Sequence, residues 1–126
     1  MKYKVVYYID SEGFGGAEQR LLSLLSKIDR TKWEPILIYH PNSGITRLIE
    51  KSMELKIHTC PIPPIVSWTD IKGFKNFIDT LKELLPSIFH AHVAFNLRCS
   101  YGIICAKLAG VKAVVATQHS YYEPRS

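Results

Sequence analysis

The segment KVVYYIDSEGFGGAEQR, residues 4–20, decides the fold class of this chain. A short apolar run comes first, then the glycines Gly13, Gly15 and Gly16, and then apolar residues at the three- and four-residue spacing of a helix. Proteins of the α/β class hold phosphates and other anions where a glycine-rich loop leads from a strand into a helix. The segment therefore predicts a strand, a candidate ligand loop and a helix.

The same alternation continues along the rest of the chain. Apolar runs predict further strands at residues 34–39, 55–59, 87–91 and 112–119. Apolar residues at helical spacing predict helices at residues 16–28, 45–53, 70–85 and 96–109, of which the third ends before Pro86 and the fourth before Gly110. Short apolar strands that alternate with helices predict an α/β fold in which helices cover both faces of a parallel sheet.

The residues between the third strand and the third helix differ from this pattern. They include Pro61, Pro63 and Pro64, and proline supplies no backbone donor. We predict an extended loop over residues 60–68.

Composition excludes several classes of protein. The chain has 126 residues, 47% of them hydrophobic and 21% charged, which predicts one globular domain. Its cysteines, Cys60, Cys99 and Cys105, are odd in number and lack C-x-x-C spacing, so we expect a reduced, cytoplasmic protein without a disulfide framework. The net charge of +5 is spread along the chain, which disfavours nucleic acid as a partner. No apolar run approaches the roughly 20 residues of a membrane span, so membrane association would be peripheral at most.

The glycine loop fails the two tests for a dinucleotide site. Gly13 and Gly15 match the first glycines of G-x-G-x-x-G, but Glu18 occupies the third position, and the second strand ends without an acid to hold a ribose. A dinucleotide oxidoreductase is therefore disfavoured. Two interpretations stay open: the amides after Gly15 and Gly16 bind an anion or a sugar hydroxyl, or the glycines only turn the chain and Glu18 complements the helix N-terminus.

Three histidines are predicted near the carboxyl edge of the sheet. His90 and His92 lie two apart on or just after the fourth strand, and His119 ends the fifth. No carboxylate accompanies them at ligand spacing, so we predict no metal. We expect His90 to be a hydrogen-bonded interior residue, His92 and His119 to contact a polar ligand, and His40 and His58 to have no special role.

Nucleophilic catalysis has little support in the sequence. No G-x-S-x-G elbow is present, and Cys99 and Cys105 fall in an apolar helical pattern that predicts packing residues.

Three segments resemble one family. They are similar to the N-terminal domain of GT-B fold glycosyltransferases of family 4, the group 1 glycosyl transferases. The segments read SEGFGGAEQRLLSLLSKID, PSIFHAHVAFN and AGVKAVVATQHS. That family has G-G-A-E at the start of its first helix, P-D-I-V-H-x-H on its fourth strand and T-x-H at the end of its fifth; Ser87 stands here in place of the Asp. The resemblance implies a Rossmann-like doubly wound sheet of about five strands in the order 3-2-1-4-5.

The resemblance also implies an activity. Members transfer a sugar from a nucleotide-sugar donor to an acceptor with retention of configuration, generally without a bound metal or other cofactor. It implies that His119 is catalytic and that the substrate-binding residues are Gly15, Gly16, Glu18, His92 and Asn96.

In that family the N-terminal domain receives a sugar or lipid-linked acceptor, whereas a C-terminal domain with an E-x7-E motif binds most of the donor. Residues 1–126 contain no such domain. We therefore expect one domain that is inactive alone and needs the C-terminal domain in cis or in trans.

The order 3-2-1-4-5 would leave the fifth strand at an edge of the sheet. Lys112 is the only charged residue of this predicted strand, and an apolar edge tends to pair with another strand. We therefore expect a second copy or a continuation of the chain to cover it. The alternative function is a non-catalytic doubly wound binding or interaction module. A receiver-like version would need an Asp at the end of the third strand, where the sequence reads IHTCP.

Overall fold

A computed structural model describes residues 3–9, 16–40, 46–63, 65, 67–93 and 99–118. Strands and helices alternate through these ranges: β1 (Tyr3–Ile9), α1 (Gly16–Lys27), β2 (Trp33–Tyr39), α2 (Thr46–Glu54), β3 (His58–Pro61), α3 (Ile71–Leu84), β4 (Ile88–Val93), α4 (Cys99–Leu108) and β5 (Ala113–Gln118). The strands form one parallel sheet in the order β3-β2-β1-β4-β5. The predicted fold class and strand order are confirmed.

The central strand β1 is buried on both faces, which explains its lack of polar residues beyond Lys4. Because side chains alternate along a strand, Val6 and Tyr8 join one core cluster and Val5, Tyr7 and Ile9 join the other. The first cluster lies under α3 and α4 and includes Phe77, Leu81, Phe89, Cys105 and Ala106. The second lies under α1 and α2 and includes Leu21, Leu25, Leu37, Leu48 and Ile57.

The third strand begins three residues later than predicted, at His58. Leu55 and Lys56 form the turn that closes α2, and Lys56 has φ 61° in the left-handed region. The amide of Ile57 donates to the carbonyl of Ser52, which completes that turn. The strand then includes Pro61, because β3 is an edge strand whose pairing with β2 tolerates a missing donor.

Both ends of α3 lie within one residue of the predicted range 70–85. The Asp70 carboxylate accepts a hydrogen bond of 3.0 Å from the amide of Gly73 and caps the N-terminus. Leu85 adopts φ 52° at the C-terminus and its amide donates to the Leu81 carbonyl, directly before Pro86. The fourth helix is followed by Gly110 at φ +87°, as its C′ position predicts.

Some apolar residues of the predicted helical stripes lie outside the core. Leu24, Met53 and Ile71 are exposed by 43%, 59% and 75%, because each stripe is wider than the part of the helix that the sheet covers. Among the described residues, no helix is long and apolar enough to cross a membrane.

The fifth strand is an edge, as predicted. It pairs with β4 on one side, and Val115 is exposed by 46%. That a second copy or a continuation covers this edge stays a prediction.

Candidate functional site

The candidate site is the carboxyl edge of the sheet. All strands are parallel, so their C-terminal ends meet at one edge, and the connections reverse direction between β1 and β4. Open α/β sheets bind ligands in the crevice at such a switch point. Here α1 begins at Gly16 after β1, and α4 begins at Cys99 after β4, so two helix N-termini lie at this edge.

The predicted site residues are divided between described and undescribed parts of the chain. Gly16 begins α1 and Glu18 follows in its first turn. His92 lies on β4, in register with Ile9 at the end of β1. The backbone of β1, α1 and β4 thus brings residues 16–18 and the H-x-H segment to the same edge. Gly15, Asn96 and His119 lie outside the described residues, and the roles of the predicted site residues stay predictions.

His40 is a buried, hydrogen-bonded histidine at this edge, although we expected no special role for it. It is exposed by 7%, and its Nδ1 lies 2.8 Å from the Ile62 carbonyl oxygen. A carbonyl can only accept, so Nδ1 carries the proton, and in the neutral ring Nε2 accepts from the Tyr8 hydroxyl at 2.7 Å. These bonds connect the C-terminal end of β2 to β1 and to the residue after β3.

His90, which we expected inside the protein, is half-buried on β4. Its ring lies 5.6 Å from that of Tyr7, at an interplanar angle of 40°. Burial raises the pKa of Tyr7 above its ordinary value. His58 is exposed on β3, an edge strand that β2 and β1 separate from β4.

Metal-ligating side chains and thiols are present among the residues whose side chains the structure describes, which include Cys60 and Cys105. Among them, no three His, Cys, Asp or Glu side chains are close enough together to hold a metal ion. Burial raises the pKa of Cys105 to about 12, so its thiol stays protonated at neutral pH. Burial, with a smaller effect of Glu83, also raises the pKa of Cys60. Cys105 is a packing residue, as its helical pattern predicted.

An aromatic cluster lies where α3 and α4 begin. It consists of Trp68, Phe74 and Tyr101. Trp68 stacks on Phe74 with ring centroids 5.8 Å apart at 18°, and meets Tyr101 edge-on at 4.7 Å and 89°. From the sequence, Trp68 is expected only as part of the extended loop over residues 60–68. Its aromatic neighbours come from two helices, so local patterns give no signal for the cluster.

Two cavities in the described part of the chain lie away from the switch point. A groove of about 510 Å³ runs between α1 and α2, with Leu22 and Leu55 among its lining residues. A cavity of about 310 Å³ lies at the amino edge, next to Pro86 and Gly110. Neither is lined by a predicted site residue.

Comparison with known proteins supports the fold. The chain matches no protein-family model and no curated protein. It is similar to the crystal structure of MurG from Acinetobacter baumannii, with a TM-score of 0.68 and 16% identity over 91% of this chain and 35% of that one. It is also similar to a glycosyltransferase from Rickettsia africae ESF-5, with a TM-score of 0.70 and 17% identity over 99% of this chain and 32% of that one.

The chain thus spans about a third of the length of both neighbours. The resemblance to a glycosyltransferase domain is confirmed at the level of the fold.

Proposed function

We propose that this chain is the acceptor-side domain of a retaining glycosyltransferase, which transfers a sugar from a nucleotide-sugar donor to an acceptor. One observation carries the proposal: the chain has the fold of about a third of MurG and of a solved glycosyltransferase, and it brings Gly16 and the H-x-H segment to the switch point of its sheet. In this proposal the isolated chain is inactive and a C-terminal domain, in cis or in trans, binds most of the donor.

The start of α1 fits the charge of a glycosyl donor. As the sugar leaves, negative charge grows on the diphosphate, and a helix N-terminus presents unpaired amides and a partial positive charge. Gly15 and Gly16 would let that backbone approach the phosphates closely. The net charge of +5 favours such an anionic ligand. The proposal needs no metal or cofactor, because backbone amides supply the electrostatic stabilisation.

The remaining predicted residues divide between acceptor and reaction centre. In the proposal, His92, Asn96 and Glu18 contact acceptor hydroxyls, and His119 lies near the transferred sugar. The bonds from His40 to Tyr8 and Ile62 support this arrangement, because they fix the strand ends that carry the loops of the site.

The experiment is an NMR titration of the chain with UDP-glucose and GDP-mannose, following backbone amides and the ring signals of all five histidines. We expect weak, fast-exchange shifts at Gly15, Gly16, His92 and His119. Exposed His58 on β3 is the internal control and stays unshifted. The isolated chain should release no nucleotide, and adding a donor-binding C-terminal domain should start the release.

Two results would contradict the proposal. Tight, stoichiometric nucleotide-sugar binding in calorimetry would show that the donor site does not need a second domain. The absence of any shift at the glycine loop and the histidines would leave the alternative, a non-catalytic doubly wound binding module.

A further inference from the structure

Trp68 is a large apolar residue that is exposed to solvent. Its side chain is exposed by 62%, although the cluster under α3 and α4 is close by. Phe74 stacks on it and Tyr101 meets it edge-on, and these two rings pack on each other at 5.6 Å. Edge-on and offset-stacked pairs are the favourable aromatic geometries. Phe74 and Tyr101 therefore hold the indole of Trp68 in place, while much of its surface faces water.

The backbone around Trp68 is fixed as well. The Ser67 carbonyl accepts from the amide of Asp70 at 3.1 Å, and the Ser67 hydroxyl accepts from the amide of Thr69 at 3.3 Å. The Ser67 and Thr69 hydroxyls are 2.8 Å apart, and Asp70 caps α3. A ring on such a turn loses little conformational freedom when a ligand binds, so little affinity is lost to ordering.

Trp68 also lies at the edge of the sheet that carries the candidate site. It directly precedes α3, and Tyr101 is in the first turn of α4. The far end of α3 is at the amino edge, where the amide of Ser87 donates to the Lys4 carbonyl at the start of β1. The beginning of α3 is therefore at the carboxyl edge, on the side of the switch point that α4 covers.

We propose that Trp68 is a stacking platform for an uncharged pyranose ring of the acceptor. This inference rests on the proposed function and names the acceptor chemistry of the same site. The C–H face of a pyranose is weakly positive and complements the negative face of an indole. The Ser67 and Thr69 hydroxyls beside the ring can each make further hydrogen bonds, which a sugar hydroxyl requires.

The charges around Trp68 favour a neutral sugar over an anionic surface. At the start of α3, the Asp70 carboxylate offsets the charge of Lys72, and Asp79 lies 2.8 Å from Lys75 and offsets its charge. Binding to anionic lipid relies on an excess of basic residues, which this helix lacks.

The test follows the indole N–H signals of Trp68 and Trp33 while maltotriose, cellotriose or triacetylchitotriose is added to the intact chain at millimolar concentration. We expect at least one trisaccharide to shift the Trp68 signal and leave that of Trp33 unchanged, because Trp33 packs against Tyr3 on the sheet. The Trp68→Ala variant should bind that trisaccharide about three- to tenfold more weakly, and Trp68→Phe should retain part of the affinity.

Ile71→Ala is the matched control. Ile71 is exposed by 75% and lies one turn further on, so its truncation removes apolar surface without removing a ring. The affinity of the Ile71→Ala variant for the trisaccharide should equal that of the unmodified chain. Circular dichroism of each variant checks that the fold is retained.

Three results would overturn the inference: no trisaccharide shifts Trp68, Trp68→Ala binds as well as the unmodified chain, or Trp68 responds instead to anionic phosphatidylglycerol vesicles or to self-association. If trisaccharides shift the glycine loop and His92 but leave Trp68 unchanged, this inference fails and the proposed function stands. If Trp68 responds while nucleotide-sugars leave the glycine loop and the histidines unshifted, the proposed function fails and the platform stands.

Discussion

The two helix layers of this protein cover the same sheet with different kinds of core. Under α3 and α4 the cluster contains the rings of Tyr8, Phe77 and Phe89, with Tyr8 and Phe77 edge-on at 5.2 Å. Under α1 and α2 it is mainly aliphatic, with leucines and isoleucines on Tyr7. Rings have few rotatable bonds and strict contact geometry, whereas aliphatic side chains adapt more easily. The α3–α4 layer is thus the more tightly specified one.

Polar contacts show the same contrast. On the α3–α4 side, Tyr8 meets His40 at the carboxyl edge, where the candidate site lies. On the α1–α2 side, Arg30 donates to the carbonyls of Leu55 and Lys56, 3.1 Å from each, and so holds the C-terminal end of α2. In the part of the chain that the structure describes, the Tyr8–His40 bond thus supports the end of the sheet where ligands are expected, and the Arg30 bonds lie at the opposite end.

The largest expected effect comes from the contact between Gly102 and Tyr8. A Cβ added to Gly102 would lie 2.6 Å from Cε2 of Tyr8, too close for a real contact. Gly102→Ala should therefore lower the free energy of unfolding by about 1–3 kcal/mol. Where the added methyl group fits, a glycine-to-alanine substitution in a helix instead raises the free energy of unfolding by about 1 kcal/mol. A decrease for Gly102→Ala would therefore indicate that the methyl group collides with Tyr8.

Urea unfolding of Gly102→Ala tests this, with Lys107→Ala as the control on an exposed position of the same helix. A more stable Gly102→Ala variant would show that the α3–α4 layer is not the more tightly specified one.

A smaller effect is expected from the Tyr8 hydroxyl. Tyr8→Phe keeps the ring and its contacts but removes the donor to His40 Nε2. The loss of one buried hydrogen bond should lower the free energy of unfolding by about 1 kcal/mol. Tyr3→Phe, at a position exposed by 58%, is the matched control and should change little. Equal effects of the two substitutions would mean that the bond contributes nothing to the fold.

The smallest effect, and one of opposite sign, is expected in the α1–α2 layer. The Ser52 hydroxyl is buried and has no hydrogen-bond partner among the residues that the structure describes. Ser52→Ala should raise the free energy of unfolding by about 0.5–1 kcal/mol, because it removes an unsatisfied group and improves helix propensity.

Ser26→Ala on α1 is the control: its hydroxyl is exposed, donates to the Ser23 carbonyl and should matter little. A Ser52→Ala variant less stable than the unmodified chain would show that this hydroxyl is satisfied and that the two layers are more alike than the structure indicates.

Most elements of the fold could be predicted because their signals are local. Asp70 and Pro86 bound α3, Gly110 follows α4, and the apolar run of β1 marks a strand covered on both faces. The third strand was misplaced because Leu55 and Ile57 alternate like strand residues, although Leu55 belongs to the turn after α2. An edge strand with few apolar residues gives a weak signal.

The candidate site was only partly predictable. Sequence order and the parallel sheet placed Gly16 and His92 at one edge, which the topology confirms. The hydrogen bonds of His40 and the ring contacts of Trp68 were missed, because both depend on residues far away in the chain: Tyr8 and Ile62 for one, Tyr101 for the other.

The sequence by itself determined the alternation of strands and helices, the parallel sheet and the glycine loop before α1, because periodicity and capping act over a few residues. Only the tertiary structure decided that His40 is buried, that Trp68 is exposed to solvent and that Gly102 lies against the ring of Tyr8. Those properties arise where separate segments pack against each other, and one sheet with two unequal layers supplies those contacts here.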